Sequence, residues 1–189
     1  MNDKALKTLE YTKIRERLTA QALSPMGKEK CSELVPLDNI SEIVREQKET
    51  TEAVNMALKK GRLPLGGIKD IRSHLERAEA GGVLAIDELM AVGEFLYVCR
   101  KVKNYSKQEN KADTFPVLED YFAIVKTINN VENEINRCIL NEQEISDDAS
   151  SGLRTVRREI RNANGSIRDK LNSIIYSAAY KTGYQRSHT

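Results

Sequence analysis

The chain has 189 residues, 40% of them apolar and 31% charged, with four prolines, seven tyrosines, three phenylalanines and no tryptophan. That mixture excludes a β-sandwich or barrel, which needs more aromatic, β-branched and turn residues, and the recurrence of apolar residues excludes disorder. The formal net charge of +2 conceals an asymmetry: residues 151–189 carry eight basic and two acidic side chains, against 22 and 26 in residues 1–150.

In chain order, Ala5, Leu6 and Leu9 form a short amphipathic turn. Thr12 is a candidate cap for a helix burying Ile14, Leu18 and Ala22. Ser24-Pro25 is an N-cap followed by proline at the first helical position, and that helix stops before Pro36. Asn39-Ile40-Ser41-Glu42 has capping-box spacing. It opens a helix with Ile40, Val44, Val54 and Leu58 on one side, closed by Lys59-Lys60-Gly61. Gly66-Gly67 marks a sharp turn, Asp70 caps a short helix, and Gly81-Gly82 ends it. Leu89, Val92, Leu96 and Cys99 give helical spacing from Ile86 to about Tyr105. Residues 104–114 are the loosest polar stretch. Pro116 restarts order, and Ile124, Ile128, Val131 and Ile135 mark another helix. Residues 138–145 break that period and predict a small hairpin pairing Ile139 with Ile145. Ser146-Asp147-Asp148 supplies cap chemistry before the last helix.

That last helix is the clearest element. Leu153, Val156, Ile160, Ala163, Ile167, Leu171, Ile174 and Ala178 recur at steps of three and four, a heptad-like seam roughly 39 Å long at 1.5 Å per residue. Arg154, Arg161 and Arg168 recur every seven residues beside it, with Arg157 and Arg158 on the same broad flank. The seam is expected to be partly exposed beyond about Ile167, where the isolated chain self-associates through it or frays. Several arginines on one stripe can follow a phosphate backbone. A solvated helix face, or a flank paired with acidic neighbours, is the competing reading.

Other chemistry is sparse. No window approaches the 18 apolar residues of a membrane span, and residues 1–10 carry charges where a secretory signal has an apolar run. Cys31, Cys99 and Cys138 are odd in number and far apart, which favours buried, reduced thiols in a cytoplasmic protein over zinc or disulfides. There is no P-loop: Gly27-Lys28 lies in a predicted helix without a glycine-rich lead. His74 reads as solvated or half-buried, and His188 lies in the tail. For Asp147 and Asp148, helix capping is a simpler role than metal ligation.

Five segments in order carry a resemblance: Leu9-Glu10-Tyr11-Thr12-Lys13-Ile14, Ser24-Pro25-Met26-Gly27-Lys28, Glu49-Thr50-Thr51-Glu52-Ala53, Leu65-Gly66-Gly67-Ile68-Lys69-Asp70-Ile71, and Glu144-Ile145-Ser146-Asp147-Asp148-Ala149-Ser150 leading into Arg157-Arg158-Glu159-Ile160-Arg161. Over about residues 1–181 the chain resembles the N-terminus of the bacterial MutS type-two family, mismatch-repair-like paralogues without a mismatch-reading N-terminal domain. The resemblance implies a helical core and lever region ahead of a dimeric ATPase and a Smr nuclease. It also implies suppression of homologous recombination and splitting of collided ribosomes, with ATP, magnesium, branched DNA and ribosomal RNA as ligands of the full-length family.

No Walker or nuclease motif is present, so no catalytic residue and no cofactor is expected in this chain. It is expected to be a fragment whose partner is the remainder of a MutS-like polypeptide. The expected fold is all-α: a helical core over residues 1–149 with a small β-hairpin near 138–145, the start of a lever helix over 150–181, and a disordered tail at 182–189. The alternative is a stand-alone nucleic-acid or ribosome-binding helical protein that uses the basic flank.

Overall fold

A computed structural model describes residues 3–107 and 114–176. The core of the expected loose stretch, the tail at 182–189 and Ala178 lie outside the described residues. The architecture is all-α with one two-stranded hairpin, and the chain divides into two compact units, Met1–Asn136 and Arg137–Thr189.

The first unit holds α1 (Asp3–Thr8), α2 (Tyr11–Gln21), α3 (Pro25–Glu33), α4 (Ile40–Lys60), α5 (Arg72–Glu79), α6 (Ile86–Ser106), α7 (Pro116–Ile124) and most of α8 (Asn129–Cys138). Two of the expected caps form. Ser24 Oγ accepts from Gly27 N–H at 3.0 Å, and Asn39 Oδ1 accepts from Ser41 and Glu42 N–H at 2.9 and 3.4 Å. Thr12 does not cap α2. The helix starts at Tyr11, preceded by Glu10 at a left-handed φ of 52°. Gly67 and Gly81 take φ of 85° and 82°, values that favour glycine, so both expected turns form.

The core is built on α6. Ala91, Leu96, Val98 and Val102 are buried there, together with Met56, Ile71 and Phe115 from elsewhere in the unit. Of the periodic set read from α6, only Leu96 is buried. Ala91, Val98 and Val102, spaced by seven and four, form the second buried stripe of a helix packed on more than one side. Gly93 permits close approach of α8, since a Cβ there would lie 3.1 Å from Ile135 Cγ2. On α4 the expected apolar side is reversed. Ile40, Val44, Val54 and Leu58 are exposed, and Glu52 and Met56 are the buried residues. Cys31, Cys99 and Cys138 are half-buried rather than buried.

Polar side chains tie these helices together. Lys60 Nζ donates to the Tyr105 and Lys107 carbonyls at 3.1 and 2.7 Å, and Tyr105 OH donates to the Gly61 carbonyl at 2.7 Å. The C-terminal ends of α4 and α6 therefore cap each other. Glu52 Oε2 accepts from Val117 and Leu118 N–H at 2.9 and 3.2 Å, so a buried carboxylate on α4 caps α7. Glu52→Ala is expected to cost about 1–2 kcal/mol, because two helix-terminal donors lose their acceptor. Urea unfolding of wild type and variant measures this, and an unchanged midpoint would refute the capping role.

Arg72 forms a surface clasp. Its guanidinium grips Asp70 at 2.6 Å and reaches Glu29 on α3 at 2.8 Å. The side-chain hydrogen bonds from Arg72 hold the Asp70 carboxyl at about 2, below its ordinary 3.8. The folded state thus favours the carboxylate. Whatever the clasp contributes is present above the ordinary carboxylate range and is lost as pH falls towards 2. Carbon-13 titration of Asp70 is expected to show a midpoint near 2 in wild type and a return towards 3.8 in Arg72→Ala. Equal midpoints in the two proteins would contradict the clasp.

The expected single helix through Ile124, Ile128, Val131 and Ile135 is two helices. α7 ends at Ile124, Val125 is extended, and α8 starts at Asn129. The apolar spacing keeps its phase across the break, which is why periodicity alone runs the two together.

In the second unit β1 (Ile139–Asn141) and β2 (Glu144–Ile145) pair antiparallel with Ile139 opposite Ile145, as the sequence predicts. A 3-10 turn (Asp147–Ala149) then leads into α9 (Ser151–Tyr176).

Candidate nucleic-acid interface on helix α9

The entry to α9 is fixed by two serines. Ser146 Oγ accepts from Asp148 N–H at 3.1 Å and caps the 3-10 turn, while Ser150 Oγ accepts from Leu153 N–H at 3.1 Å and caps α9. The Ser146-Asp147-Asp148 run therefore caps the turn rather than the long helix. Its two carboxylates face the arginine flank.

Asp147 bridges two arginines. Arg157 Nη1 donates to Oδ1 at 2.7 Å and Arg161 Nη1 to Oδ2 at 3.1 Å. These residues are four apart, one turn along the same helix side. Arg157 also donates to the Ile145 carbonyl at 2.7 Å, which pins the hairpin to α9. Arg154 pairs with the Asp148 carboxylate, and Arg137 donates to the Asp148 carbonyl. The Arg157 guanidinium, followed by that of Arg161, holds the Asp147 carboxyl below its ordinary 3.8. The bridge is complete above the ordinary carboxylate range and loosens as pH falls through that lowered value.

The structure thus divides the five predicted arginines. Arg154, Arg157 and Arg161 are engaged by aspartates, whereas the exposed Arg158 and Arg168 have no partner among the described residues. The seam lies beside this flank. Leu153 is half-buried, and Val156, Ile160, Ile167, Leu171 and Ile174 are 47% to 55% exposed. Exposure sets in at Val156, three residues past Leu153 and earlier than the sequence suggests.

Among the described residues no group of three or more His, Cys, Asp or Glu is placed to hold a metal ion. The first unit has an open groove of about 600 Å³ lined by Tyr11, Leu34, Val35, Leu37, Ile43 and polar residues of α4, with the Glu46 carboxylate among them. His74 is half-buried and contacts Glu88 at 3.3 Å. Among the described residues no helix is long and apolar enough to cross a membrane. Sequence reading missed Glu52 and Glu132 as buried ionic residues, because their partners lie far away along the chain.

No family model matches the chain. Individual proteins do. It is 44% identical over 186 residues to the endonuclease MutS2 of Lachnoclostridium phytofermentans, covering 96% of this chain and 23% of that protein. It is 40% identical over 179 residues to the endonuclease MutS2 of Alkaliphilus oremlandii, covering 95% and 23%. The endonuclease MutS2 of Acetivibrio thermocellus is 40% identical over 182 residues, again 96% of this chain and 23% of the relative. The chain is therefore related to endonucleases MutS2 along nearly all of its own sequence, and it spans about a quarter of their length.

Proposed function

We propose that this chain is the N-terminal core and the start of the lever of a MutS2-type endonuclease, a structural part without catalysis of its own. The observation that carries this reading is α9: a 26-residue helix whose apolar seam stays about half exposed. A heptad-like seam of that length is a surface for another helix. The similarity to about a quarter of each endonuclease MutS2 agrees with a part of a larger machine.

On this reading residues 1–149 are the core, 150–181 begin the lever, and the remainder of the polypeptide covers the seam. ATP, magnesium, dimerisation and strand cleavage belong to that remainder. The whole machine suppresses recombination and splits collided ribosomes in the cytoplasm, acting on branched DNA or ribosomal RNA. Co-expression with a relative's MutS2 that lacks its matching N-terminal region tests this. A stable complex is expected, with no ATP turnover or DNA nicking by the 189-residue chain alone. Turnover by the isolated chain, or failure to form a complex, overturns it.

A second reading rests on a separate observation, the exposed Arg158 and Arg168 with no partner among the described residues. They lie ten residues apart, roughly 15 Å along the helix axis, and give α9 a phosphate-contacting edge. Salt-dependent binding of a short DNA duplex that weakens in Arg158→Ala/Arg168→Ala supports it. No binding at low salt, either by wild type or after the adjacent Asp147 and Asp148 are neutralised, rejects it.

A further inference from the structure

The arginines of α9 are not equally available, and the reason is built into the chain. We propose that the Asp147-Asp148 turn is an internal phosphate mimic that masks Arg154 and Arg161, so that α9 presents only part of its basic flank to a nucleic-acid backbone until the turn is displaced. This rests on the second reading above, that the flank contacts phosphates.

A carboxylate offers a guanidinium two acceptor oxygens, as a phosphate does. Asp147 uses both, one for Arg157 and one for Arg161, and Asp148 takes Arg154. Three arginines of the flank are thus occupied by acceptors from their own chain, 6 to 14 residues away in sequence. Such a short tether keeps them at high effective concentration.

The three contacts differ in kind. Arg157 is about one-third exposed and is also bound to the Ile145 carbonyl, so it holds the hairpin in place and stays put. Arg154 and Arg161 are about 60% exposed, and among the described residues their guanidinium groups meet only the aspartates. Exposed ion pairs of this sort are weak enough to be exchanged for a backbone phosphate. Two arginines are thereby held in reserve next to the two that face solvent.

The test is duplex binding by the full 189-residue chain across a salt series, in wild type and in Asp147→Asn/Asp148→Asn. The asparagine at 147 retains an acceptor for Arg157, and circular dichroism confirms that α9 is intact. The variant is expected to bind about 5- to 30-fold more tightly at low salt, with the slope of log K against log salt steeper by about 2, as two further phosphate contacts require. The gain must vanish in an Arg154→Ala/Arg161→Ala background. It must also exceed that of Glu159→Gln/Asp169→Asn, which removes the same charge from α9 without touching the paired arginines.

A variant that binds while wild type is silent also supports masking. An equal gain from Glu159→Gln/Asp169→Asn overturns masking, as does no gain while wild-type binding still depends on Arg158 and Arg168. In both cases the phosphate-contact reading stands. Silence of both wild type and the aspartate variant at low salt overturns masking and that reading together.

Discussion

Glu132→Ala is expected to destabilise the first unit by about 3 kcal/mol, the cost of breaking a largely buried ion pair from one side. Glu132 is 3% exposed. Arg100 Nε donates to both its carboxylate oxygens at 3.2 and 3.0 Å, and Arg100 Nη2 donates to Oε1 at 2.8 Å. Removing the carboxylate leaves a guanidinium on α6 facing a cavity on α8, with the Tyr97 ring at 5.1 Å beside it. The side chain of Arg100 is 40% exposed and retains access to water, which keeps the loss at the lower end of the range for buried pairs. Melting is expected to fall by roughly 6–12 °C. Urea unfolding followed by far-ultraviolet circular dichroism checks both numbers. A loss below about 1 kcal/mol would mean that the pair behaves as an ordinary surface bridge.

Ile160→Asp combined with Ile167→Asp is expected to weaken capture of the remaining MutS2-type polypeptide by about 100-fold, because each carboxylate would have to be buried in an apolar seam. The two positions are seven residues apart on one face, and both are more than half exposed in this chain. The substitutions should therefore leave the helix content and melting of the isolated chain nearly unchanged. That combination separates a docking face from a folding core. A large loss of helix in the isolated chain would show that the seam is already packed. Unaltered capture would show that the partner binds elsewhere.

The two substitutions also mark how far the sequence could be read. Local chemistry was legible. Ser24 and Asn39 cap α3 and α4, Ile139 pairs with Ile145, and α9 runs through the whole described seam, since each follows from residues within a few positions of each other. Burial of charge was not legible. Glu52 and Glu132 find their partners 65 and 32 residues away, and nothing local distinguishes them from the solvated glutamates around them. Nor was the orientation of α4, whose apolar stripe through Ile40, Val44, Val54 and Leu58 is exposed. Tertiary packing against α7 instead buries the side carrying Glu52 and Met56. The candidate interface was half legible: seven-residue spacing picks out Arg154, Arg161 and Arg168 on one flank, but not the choice of Asp147 and Asp148 as partners of Arg154 and Arg161. That choice depends on the 3-10 turn, which folds back the two carboxylates that otherwise read as caps.

Amide hydrogen exchange across α9 tests most directly whether its seam is the docking face of a larger machine. In the isolated, monomeric chain, residues 156–174 should exchange quickly relative to the α6 core. Adding a MutS2-type polypeptide that lacks its own matching N-terminal region should slow exchange along that stretch while leaving α6 unchanged. Full protection of residues 156–174 in a chain that sediments as a monomer, or exchange that does not respond to the added polypeptide, would contradict it.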